Sequence, residues 1–227
     1  MTIKAVVFDL DGTLLDTAPD FVFVLNRLRG EEGLPDLDET RIRNTVSDGA
    51  RALITLGFDL REGEPDFERL RLRLLELYIR HLAVKSALFP GMAELLLQLQ
   101  NEHLGWGIAT NKPERFTLPL LAALNLAPGC TICPDHVAEP KPHPESLQRA
   151  AGQLGCEPGQ IIYVGDHLRD IECGRQAGCI TVAAAYGYIK DGDNVDTWQA
   201  DHRVDDVAGI WSIVRQYLMD PDFRQDD

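Results

Sequence analysis

The sequence predicts an α/β protein: a Rossmann-like parallel sheet covered by helices, with a separate helical unit inserted after its first strand. Three observations carry this. An apolar run at residues 3–8 opens the chain and reads as a buried strand. From residue 87 onward, short apolar strands alternate with helical periods, as in parallel sheets covered on both faces. Between residues 17 and 82 the period is helical, with no strand signal.

Taken in order, the inserted unit reads as helices at 21–25, 42–46, 50–56 and 67–82, punctuated by turns at Pro35 and at Gly63-Glu64-Pro65. The sheet pattern resumes near Leu88-Phe89-Pro90-Gly91 with a helix at 91–100 and a strand at 106–110. A helix at 114–124 and a short strand at 130–133 follow. The next helix, 144–154, has Pro144 at its entry, where a missing N–H costs nothing. A strand at 161–164, a helix at 168–177 and a strand at 180–184 come next. Val204 marks a last short strand, and a helix at 207–218 closes the pattern. The expected division is a core of residues 1–16 and 84–227 with a helical cap of residues 17–83.

Composition narrows the function. No apolar run approaches the ~20 residues that cross a bilayer, and the start lacks a signal-peptide pattern, so a cytoplasmic protein without a membrane partner is expected. The net charge of −14 argues against nucleic acid, whose phosphates require a basic face. It also means that an anionic substrate must be drawn in by local cations. Part of that charge sits in an acidic tail, residues 220–227, which reads as a solvated terminus. The odd count of five cysteines implies reduced thiols, and Cys130 and Cys133 read as packing residues.

In open parallel sheets ligands bind beyond the carboxyl ends of the strands, so those ends hold the candidate chemistry. The first strand ends in Asp9-Leu10-Asp11-Gly12-Thr13. Residues two apart on an extended segment face one side, so Asp9 and Asp11 can aim at one spot. Two carboxylates ~4 Å apart repel by about 4 kcal/mol at an effective dielectric near 20, which calls for a bridging cation. Other strand ends supply Thr110-Asn111-Lys112 and Gly165-Asp166, with Asp170 one helical turn on and Lys141 in a proline-rich turn. Asp166 also suits a helix N-cap.

Four acids require a hard divalent cation with oxygen ligands, and Mg²⁺ is the natural choice. Lys141 adds a positive point charge, while Thr110 and Asn111 add neutral donors, a set suited to phosphoryl transfer. Asp9 is the expected nucleophile and Asp11 the expected acid and base. Gly12 permits close backbone approach, and Thr13 is positioned to hold Asp11. In the cap, the turn at Ser47-Asp48-Gly49 and the following Arg51 are candidates for facing the substrate.

These residues resemble the haloacid dehalogenase superfamily of phosphatases motif by motif, in order and across essentially the whole chain. Asp9-Leu10-Asp11-Gly12-Thr13 is similar to its first motif, Thr110-Asn111 to its second, Lys141 to its third, and Gly165-Asp166 with Asp170 to its fourth. The resemblance implies that superfamily's fold, with Mg²⁺ held by Asp9, the Asp11 backbone carbonyl and Asp166, and with Asp170 behind them. His167 departs from the Asp or Ser of many relatives. The inserted helices resemble the small cap of the phosphoglycolate phosphatase-like branch. Further segments, among them Trp106 to Pro113 and Tyr186-Gly187-Tyr188-Ile189, resemble a bacterial group of N-acetylmuramic acid 6-phosphate phosphatases. The expected partner is a small phosphorylated metabolite. A 2-phosphoglycolate phosphatase, a phosphosugar mutase and a phospho-accepting signalling domain stay open as alternatives; Asp11 speaks against the last of these, and against a dehalogenase.

Overall fold

Strand β1 (Ala5–Phe8) is apolar on both faces because it is covered on both. Val6 and Phe8 pack into one apolar cluster, Ala5 and Val7 into another. A computed structural model describes residues 2–219 of the chain; the acidic tail at 220–227 lies outside the described residues. β1 is central in a six-stranded sheet of order β5-β4-β1-β6-β7-β8. Its companions are β4 (Gly105–Ala109), β5 (Cys130–Ile132), β6 (Ile161–Gly165), β7 (Ile180–Ala184) and β8 (His202–Val204), all in parallel register.

Helices α5 (Met92–Asn101) and α9 (Val207–Met219) pack together over the Phe8 face. Helices α7 (Glu145–Leu154) and α8 (Leu168–Ala177) cover the Val7 face. Helix α6 (Glu114–Ala123) follows β4. Phe8 pairs with Ile108 on one side and Val164 on the other, so the ends of β1, β4 and β6 lie side by side. The chain reverses its direction of winding at β1, which is where such sheets open a crevice.

Between β2 (Leu15–Asp16) and β3 (Ala87–Leu88) lie α1 (Ala18–Glu31), α2 (Glu39–Arg43), α3 (Gly49–Phe58) and α4 (Phe67–Arg80), with no strand among the described residues. In α4 the buried residues are Phe67, Leu70, Leu74, Leu77 and Tyr78, one helical stripe. That stripe meets Phe21, Leu25 and Leu28 of α1, and the cluster continues without a break into the sheet through Leu14 and Phe8.

The insertion is tied down where it leaves and rejoins the sheet. β2 and β3 pair antiparallel, two residues each, an element too short to leave a sequence pattern. Buried Asp20 accepts from the backbone N–H groups of Lys85 and Ser86, at 2.9 and 3.0 Å, and from the Ser86 hydroxyl at 2.6 Å. Tyr188 Oη accepts from the N–H groups of Thr17 and Ala18, at 2.7 and 2.9 Å, and donates to Asp16 at 2.8 Å.

Candidate active site

The crevice holds a cavity of about 300 Å³. Asp9, Asp11, Thr110, Asn111, Lys141 and Asp170 line its floor, while Ser47, Gly49 and Arg51 line the wall on the inserted unit. Gly12, Thr13 and Asp166 sit behind that surface. Gly12 has φ +89°, and a Cβ there would fall 2.1 Å from Asp166 Oδ2, so only glycine lets the β1 turn pass this carboxylate.

Lys141 organises the floor. Its ammonium lies 2.8 Å from Asp9 Oδ1, 2.7 Å from Asp170 Oδ1, and 2.9 Å from both the Ala109 carbonyl and Tyr163 Oη. Burial works against its charge, but Asp170 and Asp9 outweigh burial and hold it well above the ordinary lysine range. Asn111 fixes the turn that carries it: the Lys141 N–H donates to Asn111 Oδ1 and the Asn111 amide donates back to the Lys141 carbonyl, both at 3.0 Å. The Thr110 N–H is held by Ile132 O at 3.0 Å, and its Oγ1 accepts from the Lys112 N–H at 3.1 Å.

Asp9, Asp166 and Asp170 each bring a carboxylate oxygen within 4.8 Å of the others. All three are buried, and against three carboxyl groups the floor sets one ammonium. Burial foremost, then the charges of Asp9 and Asp170, push Asp166 up to about 8. Burial also raises Asp9, against the pull of Lys141. A dense all-oxygen cluster short of positive charge fits a hard divalent cation.

The structure corrects three local expectations. Asp9 and Asp11 line one cavity, but each carboxylate turns to its own lysine, Asp9 to Lys141 and Asp11 to Lys112 at 2.9 Å. Thr13 does not hold Asp11. Its hydroxyl donates to Asp166 Oδ1 at 3.0 Å, and Thr17 bonds Asp11 at 2.5 Å instead, because the chain turns at Gly12, φ +89°, before it reaches Thr13. Asp166 is not the N-cap of α8. His167 takes that place, accepting from the Arg169 N–H, while Asp170 accepts from the His167 N–H. This leaves Asp166 free to accept from Thr13, from Ser47 Oγ at 3.1 Å and from the Tyr188 N–H at 2.9 Å.

The inserted unit closes over the floor through Asp48. Its carboxylate takes Arg169 at 3.1 Å, Lys190 at 2.5 Å and His167 Nε2 at 3.4 Å. Burial opposes its charge, but hydrogen bonds from His167 and Lys190 outweigh burial and hold it at about 2. Arg51 lines the wall with its Nε 3.1 Å from Glu62.

Residues 6–184 match the family described as haloacid dehalogenase-like hydrolase, most of the chain. The chain belongs to that family. It is 49% identical over 220 residues to N-acetylmuramic acid 6-phosphate phosphatase of Pseudomonas putida strain KT2440, across 96% of this chain and 99% of that protein. It is 39% identical over 210 residues to phosphoglycolate phosphatase of Xanthomonas campestris pv. campestris strain 8004, across 92% and 95%. Its fold matches the crystal structure of a predicted phosphoglycolate phosphatase from Haemophilus somnus 129pt. There the TM-score is 0.81 at 28% identity, covering 94% of this chain and 98% of that one. The expected α/β fold with a parallel sheet and the expected class of enzyme, a hydrolase with phosphatase-named relatives, therefore hold.

Among the polar groups at the site that the family motifs did not single out is Lys112. It is buried, and its ammonium lies 4.9 Å over the Phe21 ring and 4.7 Å over the Tyr78 ring as well as against Asp11. Burial disfavours its charge, but Asp11 outweighs that and keeps its pKa well above the usual lysine value. A lysine at a strand end beside two acidic strand ends was the available signal. Among the described residues no helix is long and apolar enough to cross a membrane.

Proposed function

We propose that this chain is a Mg²⁺-dependent phosphomonoester hydrolase that works through an aspartyl phosphate on Asp9. We further propose that its substrate is N-acetylmuramic acid 6-phosphate. The observation that carries the reaction class is the convergence of Asp9, Asp11, Thr110 and Lys141 on one cavity, with Asp166 directly behind Asp9. Asp9 Oδ attacks phosphorus while the bond to the leaving oxygen breaks, and Asp11 delivers the proton that oxygen needs. Asp11 then takes a proton from a water that attacks the phosphoaspartate, freeing phosphate and restoring the Asp9 carboxylate. Lys141, Thr110 and Asn111 hold the phosphoryl oxygens and set the direction of attack. Asp9, Asp166 and the Asp11 backbone carbonyl would hold Mg²⁺, with Asp170 beside them against Lys141, and the ion would supply charge neutralisation for the phosphoryl group.

The substrate reading is supported by the 49% identity to a relative of that name over nearly the full length of both chains. Cavity size favours it over 2-phosphoglycolate, because a two-carbon acid would leave much of about 300 Å³ to water. Ser47, Gly49 and Arg51 are proposed to face the sugar, and Gly12 and Thr13 to shape the floor beneath the phosphate. An odd count of five cysteines favours action in a reducing compartment, the cytoplasm.

A phosphate-release panel of N-acetylmuramic acid 6-phosphate, 2-phosphoglycolate and common hexose phosphates tests the substrate. The amino-sugar acid should give the highest kcat/KM, and a higher value for 2-phosphoglycolate would overturn the assignment. Mg²⁺ at a hundred times its Kd should raise stability by about 2.7 kcal/mol, and chelation should abolish both the gain and turnover. Because Asp166 sits near about 8, the cation competes with its proton below that pH. The Mg²⁺-induced rise in Tm should therefore be larger near pH 8.5 than near pH 6; an equal shift at both would remove Asp166 from the metal site.

A further inference from the structure

The cavity separates its charges. Its floor carries the acids and Lys141, while Arg51 of α3, Arg71 of α4 and Arg115 of α6 stand on its walls. In a chain of net charge −14, these three arginines, with Arg169 as a fourth that Asp48 holds, gather positive charge around one cavity, as a site for an anion does. Under the proposed reaction the phosphate is already provided for on the floor, so the wall arginines face something else.

The three differ in what they hold. Arg51 pairs with Glu62 and Arg71 with Glu68, in contacts whose acids are largely exposed. Such pairs contribute about 0–1 kcal/mol, so either arginine can exchange its partner for a ligand. Arg115 has no acidic partner among the described residues. The acids beside it are engaged elsewhere: Glu114 Oε1 lies 3.0 Å from His136 Nε2, and Asp135 accepts from the Glu114 N–H at 2.8 Å. The Arg115 guanidinium lies 4.6 Å over the ring of Phe116, a buried residue that also lines the cavity. Stacking of this kind fixes the plane of the fork and leaves its N–H edge for a planar acceptor.

We propose that the cavity is a two-anion site, with the phosphate at the floor and a carboxylate of the same substrate taken by Arg115. The ligand class is a phosphate monoester that also carries a carboxylic acid. This rests on the phosphatase reading above, and in N-acetylmuramic acid 6-phosphate the group would be the lactyl carboxylate.

The test measures kcat/KM for N-acetylmuramic acid 6-phosphate and for N-acetylglucosamine 6-phosphate, the same sugar phosphate without the acid. Wild-type enzyme should prefer the first. Arg115→Met should cut that preference about 10–100-fold, the usual range for losing a charge-assisted pair, through KM. Arg115→Lys should recover part of it, since an ammonium keeps the charge but loses the fork. Arg115 is exposed, so melting curves should stay unchanged. An unchanged preference in Arg115→Met, or an equal fall on both sugars, would overturn the carboxylate role. If wild-type enzyme instead prefers 2-phosphoglycolate, the substrate assignment fails by itself. The same comparison with ethyl phosphate, which lacks the acid, then decides the role of Arg115 by the same two outcomes.

Discussion

Asp9→Asn should abolish turnover while leaving the fold intact. The amide oxygen of asparagine can still accept from Lys141, which lies 2.8 Å from Asp9 Oδ1, so packing at the end of β1 is kept. What is lost is the nucleophile, because a neutral amide oxygen cannot form the phosphoaspartate. Removing a residue that reacts covalently costs on the order of 10⁴-fold or more in kcat. Stability without a cation should not fall, since one of three clustered carboxylates is removed from a site with a single ammonium. Rapid quenching and intact-mass measurement after mixing with substrate should find a phosphate adduct on wild-type protein and none on the variant. Retention of more than a few per cent of wild-type kcat would reject the covalent role.

Much of this site could be read from the chain because its main parts fall at strand ends, and strand ends in a parallel sheet share one edge. The apolar run before Asp9 and the one before Gly165 identify buried neighbours, and their register puts Phe8 beside Val164. What could not be read depends on direction within turns and on pairing across long separations. Thr13 and Thr17 both follow Asp11 closely, and only the course of the chain through Gly12, at φ +89°, decides which hydroxyl reaches Asp11 and which reaches Asp166. Lys112 meets Asp11 across 101 residues of sequence, and its ammonium is covered by Phe21 and Tyr78 from the inserted unit. The cap of α8 lies one residue beyond the expected Asp166, because His167 and Asp166 can both accept a hydrogen bond and Asp166 is buried against Thr13 and Tyr188 instead. Asp48 lies in a cap turn that the sequence marks as facing the site, but its partners leave no sequence pattern. Its three partners, His167, Arg169 and Lys190, come from the loop after β6, from α8 and from the loop after β7, which only the folded arrangement brings together.

Lys141→Met should lose both activity and metal-free stability, and the pH dependence separates the two. The ammonium is buried against Asp9 and Asp170, and removing one partner of such a cluster costs about 3–5 kcal/mol when the remaining charges stay ionised. They can escape that cost by taking up protons. Asp166 is already pushed up to about 8 in the wild type, so the folded state holds a proton there that the unfolded chain, near 3.8, releases. Wild-type stability through this group therefore falls as pH rises from about 4 to about 8. Without Lys141, Asp9, which burial already raises, should join Asp166 in that behaviour. In chelator, the gap in Tm between wild type and variant should widen from about pH 6 to about pH 9, and Mg²⁺ should narrow it by supplying countercharge. Turnover should fall about 10²–10³-fold even with Mg²⁺ saturating, since a cation bound among the carboxylates does not replace an ammonium aimed at the phosphoryl oxygens. A Tm gap that stays constant with pH would show that Lys141 is not the counter-ion of this cluster, and a kcat within tenfold of wild type would remove it from transition-state stabilisation.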